Sequence, residues 1–213
     1  MKLYPHPNRD NTALIVIDPI NSCAHEKCEH PQRNIRFSKI RSMLSRLNSF
    51  IDKYREEIGG LVVVTTTVPW KKEFLPDNLN ELYSDPNANY YSQDHSGFDE
   101  QFYGIYPLKD DLIITKNTYD AFADDKLLEE LHKRNIQYIV VTGVFSDGCV
   151  LASIVGGFSR GYNFVILKDL IETTDSETRQ EIQRGLVEFT FPKMFGLTIN
   201  SNEFLENYSK RTS

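Results

Sequence analysis

The chain has 213 residues, 40% of them apolar and 25% charged, with a formal net charge of -6. That is enough sequence for one domain, residues 1–213, with its own core. An acidic surface repels nucleic acid and anionic membranes, and neither is expected as a partner. There is no run of about 18 apolar residues to cross a bilayer, and the opening MKLYPHPNRDN lacks an apolar secretory core. Three cysteines, Cys23, Cys28 and Cys149, are an odd number for a disulfide framework and fit a reducing, cytoplasmic compartment.

Residues 13–18 read ALIVID, a short apolar run ending in a carboxylate, as expected of a strand buried on both faces. Over 35–58, apolar residues recur at Ile40, Met43, Leu44, Leu47, Phe50, Ile51, Tyr54 and Ile58, which predicts an amphipathic helix ended by Gly59-Gly60. LVVVTTT at 61–67 is a second buried strand. The rhythm then breaks. Residues 68–110 hold Pro69, Pro76, Pro86 and Pro107 and read as a long lid or binding loop. Nine of the chain's 25 aromatic residues lie there, Trp70, Tyr90, Tyr91 and Phe98 among them. They either anchor the loop to the core or line a substrate pocket.

Alternation resumes with a strand at 111–116 (DLIITK), a helix at 125–135 and a strand at 137–144. A helix at 147–161 and a strand at 163–169 follow. A helix from 175 to about 190 is opened by Thr174-x-x-Glu177, a capping-box pattern. A short strand at 196–199 and a polar turn close the chain. Strand and helix alternating in this way predict a three-layer α-β-α domain around a mostly parallel sheet.

Ligands of such sheets sit beyond the carboxyl ends of the strands, and three reactive residues fall there. Cys149 lies where VTGVFSDGCVLAS turns from strand to helix. Capping by Ser146 or Asp147 would put it in the first helical turn, where free N–H groups favour a thiolate and can bind an oxyanion. A small buried hydrophobe is the alternative. Lys116 ends a buried strand, so it needs a carboxylate partner or an outlet to solvent. Asp18 could take the thiol proton and return it to a leaving group, or simply shape an Asp-Pro turn.

At these positions the sequence resembles the isochorismatase-like cysteine hydrolases, the superfamily of the nicotinamidases and N-carbamoylsarcosine amidohydrolase. ALIVIDPINS is similar to its opening strand, ITKNTYDAF to its lysine motif and TGVFSDGCVLAS to its nucleophile motif. The resemblance implies a six-stranded sheet and a triad of Asp18, Lys116 and Cys149. It also implies a cis peptide between Val144 and Phe145 that turns the Phe145 N–H toward an oxyanion beside that of Cys149. Trp70, Tyr119 and Phe145 are the candidate substrate-lining residues, and a homodimer or homotetramer is expected. Metal-binding nicotinamidases carry an Asp-x-His pair after the second strand. Here the stretch reads TTTVPWKKEF, which argues against that type.

No cofactor and no metal are expected. Cys23-x-His25-x-x-Cys28-x-His30 offers zinc-type donors at a spacing unlike the usual zinc motifs, and reads as a polar loop beside the pocket. His95 reads as a surface or pocket-wall residue, Lys71 and Lys72 as solvated. Gly156-Gly157 inside a helix implies close packing against the sheet or a second subunit. The expected partner is a small-molecule substrate, an amide, ureido or similar C–N compound cleaved through a thioester. Alternatives are a metal-free vinyl-ether hydrolase using Asp18 as acid, and a non-catalytic dimeric binding protein of the same fold.

Overall fold

In the computed structural model, residues 7–68, 71–84, 98 and 101–209 are described. Six strands form: β1 (Thr12–Ile17), β2 (Leu61–Thr67), β3 (Leu112–Lys116), β4 (Tyr138–Val144), β5 (Asn163–Glu172) and β6 (Gly196–Ile199). All five pairings between neighbours are parallel, in the order β3-β2-β1-β4-β5-β6. The expected six-stranded α/β sheet is therefore present, and it is parallel throughout. Successive residues of a strand point to opposite faces. Leu14 and Val16 accordingly enter one apolar cluster, while Ala13, Ile15 and Ile17 enter the other. Burial on both faces is why the central strands read as unbroken apolar runs.

The helices are α1 (Asn21–Ala24), α2 (Ser38–Glu57), α3 (Asp77–Ser84), α4 (Asp125–Lys133), α5 (Cys149–Ser159), α6 (Glu177–Gly185) and α7 (Ser201–Tyr208). On one face of the sheet, α2 and α7 pack through Met43, Leu47, Phe50, Tyr54 and Phe204. On the other, α4 and α5 pack through Leu127, Leu131, Val150 and Ile154. Full burial of each such side chain is worth about 1.5–3 kcal/mol.

Several expectations are corrected. The 68–110 segment is not structureless: it contains α3, anchored by buried Leu79, and Phe102 bridges Ile20. Helix α2 starts at Ser38 rather than 35, after short 3-10 turns at Glu26–Cys28 and Pro31–Arg33. β5 runs to Glu172, and the closing turn is helix α7. The 175–190 helix is α6 followed by a π-helical run, Leu186–Phe195, that contains Pro192. Its N-cap is Ser176 without a side-chain cap. Thr174 is buried, and its carbonyl accepts from Gln180, so the capping box does not form.

The two glycines of α5 have separate reasons. A Cβ on Gly156 would meet the Asp120 carboxylate, and one on Gly157 would meet the rings of Phe122 and Phe164 at 2.7 Å. Both explanations lie within this chain.

Candidate active site

Strand order reverses at β1: β2 lies on one side of it and β4 on the other. Ligands of open parallel sheets bind at such switch points, outside the carboxyl ends. Asp18 directly follows β1, and Cys149 follows β4 by a four-residue turn. The two strands approach closely at Gly143, where φ is +109° and a Cβ would collide with the Ile17 carbonyl at 2.1 Å. Only glycine fits there.

The three candidates meet. Lys116 Nζ lies 2.6 Å from Asp18 Oδ2, with side chains 1% and 2% exposed. It also donates to the Thr118 carbonyl at 3.2 Å. Cys149, 8% exposed, lies close enough for both Asp18 and Lys116 to act on its thiol. Burial opposes the charge on Lys116, but Asp18 outweighs it, with help from Cys149, and the ammonium is held above its ordinary value.

The cysteine behaves differently from expectation. Burial pushes its thiol up to about 12, against the pull of Lys116, and Asp18 adds to the push. Moving a thiol from 9.0 to about 12 takes roughly 4 kcal/mol. A helix N-terminus returns only about 0.3–1 kcal/mol. Burial therefore opposes the thiolate that the helix N-terminus alone would favour.

The turn before Cys149 is held differently from prediction. The cap of α5 is Gly148, with no side-chain bond. Ser146 instead donates to Gln183 Oε1 at 2.6 Å. Asp147 accepts from Thr173 and, through both oxygens, from Arg179, each at 2.6 Å. The Val144-Phe145 peptide is cis. The Phe145 ring stacks on Phe37 and lies 4.9 Å beneath the Arg179 guanidinium, so its two faces are occupied by protein. Burial lowers Arg179 to about 10, while Cys23 and Tyr83 nearby raise it.

Tyr119 sits beside the triad, its hydroxyl 2.7 Å from that of Tyr83 on α3. Both tyrosines are raised by burial and both feel Cys149. Trp70, Tyr90, Tyr91 and His95 lie outside the described residues. Phe98 packs on the His25 ring at 4.7 Å. Lys71 and Lys72 are exposed.

The cysteine–histidine cluster is not a polar loop: Cys23 and Cys28 are buried in the apolar core, and His25 caps the turn at Glu26–Cys28. Among the described residues no group of three His, Cys, Asp or Glu is placed to hold a metal.

Sequence reasoning missed Thr65, Tyr83, Arg179 and Gln183. The signal for Thr65 was present, since three threonines close an otherwise apolar strand. The other three come from helices that no strand-end rule reaches.

A six-stranded parallel sheet thus buries an acid, an ammonium and a thiol together at its switch point. The isochorismatase domain family matches residues 12–201, and the chain belongs to the isochorismatase family of hydrolases. A cysteine hydrolase from Pseudomonas syringae pv. phaseolicola superimposes with a TM-score of 0.77 at 19% identity, covering 98% of this chain and 97% of that one. N-carbamoylsarcosine amidase from Thermoplasma acidophilum gives 0.61 at 18% identity, covering 90% and 97%. Among sequence relatives, the ureidoacrylate amidohydrolase of Cronobacter sakazakii is 24% identical, covering 75% of this chain and 74% of its own length. A secreted isochorismatase effector of Verticillium dahliae is 22% identical, covering 91% and 90%.

Proposed function

We propose that the protein hydrolyses a small amide, ureido or similar C–N substrate through a thioester on Cys149. One observation carries this reading: a buried carboxylate–ammonium pair close enough to a buried thiol to act on it at the sheet's switch point. The named activities of the amidohydrolase and amidase relatives agree with it.

In the first step the sulfur bonds to the substrate carbonyl carbon while the thiol proton passes to Asp18. As Asp18 is neutralised by that proton, Lys116 stabilises the single negative charge passing through the sulfur toward the carbonyl oxygen. The carbonyl electrons shift to oxygen, faced by the Phe145 and Cys149 N–H groups. Collapse breaks the C–N bond, and the departing nitrogen takes the proton from Asp18. Water then attacks the thioester, giving a proton to Asp18. Collapse releases the acid, and the proton returns to sulfur. Because Asp18 removes the proton during attack, a resting thiolate is unnecessary. Tyr83 and Tyr119, beside Cys149, form part of the substrate wall in this reading. A cytoplasmic location and a homodimer or homotetramer complete the reading.

Incubation with a pool of small amides and ureides should give an acyl adduct on Cys149 by intact mass. Cys149→Ala should abolish both the adduct and turnover, by at least about 10³-fold. Full turnover in that variant would end the thioester mechanism. The family match leaves a second reading, vinyl-ether cleavage with Asp18 as acid. Isochorismate turnover surviving Cys149→Ala would establish it. The raised thiol makes slow alkylation of the free protein near neutral pH the expected result. Turnover, rather than alkylation, separates either enzyme from a non-catalytic binding protein.

A further inference from the structure

Thr65 lies on β2, fully buried, and contacts Asp18 twice. Its Oγ1 accepts the Asp18 backbone N–H at 3.0 Å and donates to Asp18 Oδ1 at 2.7 Å. The first bond settles the second: with its oxygen engaged as an acceptor from the main chain, the single hydroxyl proton is directed to the carboxylate. Asp18 has φ +47°, in the left-handed region that Asp enters more readily than most residues. That backbone twist turns its N–H toward β2 and its side chain back over the same hydroxyl. Lys116 holds the other oxygen, Oδ2, at 2.6 Å. The carboxylate is thus gripped at both oxygens by two strands, neither of which is the strand that carries it.

We infer that Thr65 is a positioning residue, which fixes the backbone and carboxylate of Asp18 so that it faces the Cys149 thiol in the orientation that takes its proton. Lys116 alone could not do this. One contact to one oxygen leaves the carboxyl group free to rotate about its Cβ–Cγ bond, whereas donors on both oxygens stop that rotation. A hydroxyl is required because the position must accept from an N–H and donate to an anion at once. Valine has the same shape and can do neither. It would leave the buried Asp18 N–H without its partner as well as releasing the oxygen.

The inference rests on the proposed role of Asp18 and Cys149, so its test includes both. p-Nitrophenyl acetate serves as a probe that needs no knowledge of the natural substrate. The sulfur bonds to the acetyl carbon, p-nitrophenolate leaves, and the thiol proton passes to Asp18. The acylation rate that disappears in Cys149→Ala is followed against ester concentration. Thr65→Val should lower its maximum about 10–100-fold, with less than about a threefold change in the half-saturating ester concentration. Thr65→Ser, which keeps the hydroxyl, should stay within about threefold of the parent in both.

If Thr65→Val keeps the parent's maximal rate, or loses rate only through a raised half-saturating concentration, the inference is overturned. It is also overturned if Thr65→Ser falls as far as Thr65→Val, because packing would then be the cause. Circular dichroism checks folding, and Thr65→Ala gives the same comparison should valine prevent it. If the parent shows no Cys149-dependent acylation, or Asp18→Asn leaves it unchanged, the functional reading itself fails. If Asp18→Asn abolishes acylation and Thr65→Val does not touch it, only the present inference fails.

Discussion

The two ends of the sheet carry charge in opposite ways. At the amino end, Arg9, Arg55, Arg134, Asp10, Asp110 and Asp111 line an open cleft of about 520 Å³. At the carboxyl end, one ammonium and one carboxylate are sealed beside a thiol. The amino end has more charges, yet two of its three arginines are already paired: Arg55 with Asp52 and Asp111, Arg134 with Glu130. The more exposed Arg134 pair is screened by water and salt, and contributes little. At the carboxyl end water is excluded, so each charge acts strongly on its neighbours. Chemistry is located by the cost of keeping charge dry, and charge count does not find it.

The sharpest test of that contrast removes one cation from each end. Lys116→Met strands the Asp18 carboxylate and should cost about 3–5 kcal/mol of unfolding free energy in denaturant. Arg134→Gln should change it by no more than about 0.5 kcal/mol. Equal losses would erase the distinction.

The pH dependence tests it next. The unfolded chain releases the Cys149 proton around 9.0, whereas the folded protein holds it to about 12. Between those values the folded state binds more protons, so stability falls as pH rises. It is fully present below about pH 9, and up to roughly 4 kcal/mol is lost across the window. Lys116, also held above its ordinary 10.5, adds to the loss at the upper end. Cys149→Ala should make the curve shallower between pH 9 and 10.5 in denaturant titrations, the remaining slope coming from Cys23 and Cys28, which burial also raises. An unchanged slope would show that the thiol is not what makes that end alkali-sensitive.

A smaller effect probes the packing behind the site. Gly157→Ala pushes a methyl into the Phe122 and Phe164 rings and should cost about 1–3 kcal/mol. A neutral result would show that the rings can shift.

Most of the sheet was readable in the sequence because its strands are buried on both faces. Asp18, Lys116 and Cys149 were readable for a related reason: polar residues that end such runs stand out. Helix α3 was hidden by Pro76 and its Asn and Asp residues, which signal loops, although Leu79 anchors it. The π-helical run was hidden by Pro192. The capping of α5 was misread because Ser146 and Asp147 have stronger partners on and near α6, far along the chain. The raised thiol could not be read at all. Helix position is local and visible, whereas desolvation depends on everything packed around the sulfur.

Helix α6 has no buried side chain, yet it supplies the Gln183 and Arg179 contacts that pin the loop ahead of Cys149. An element fastened only by polar ties, outside both apolar clusters, can peel away while the sheet stays whole. Mild heat or dilute urea would then silence the protein well before it melts, and cooling or dilution would restore it without any need to refold.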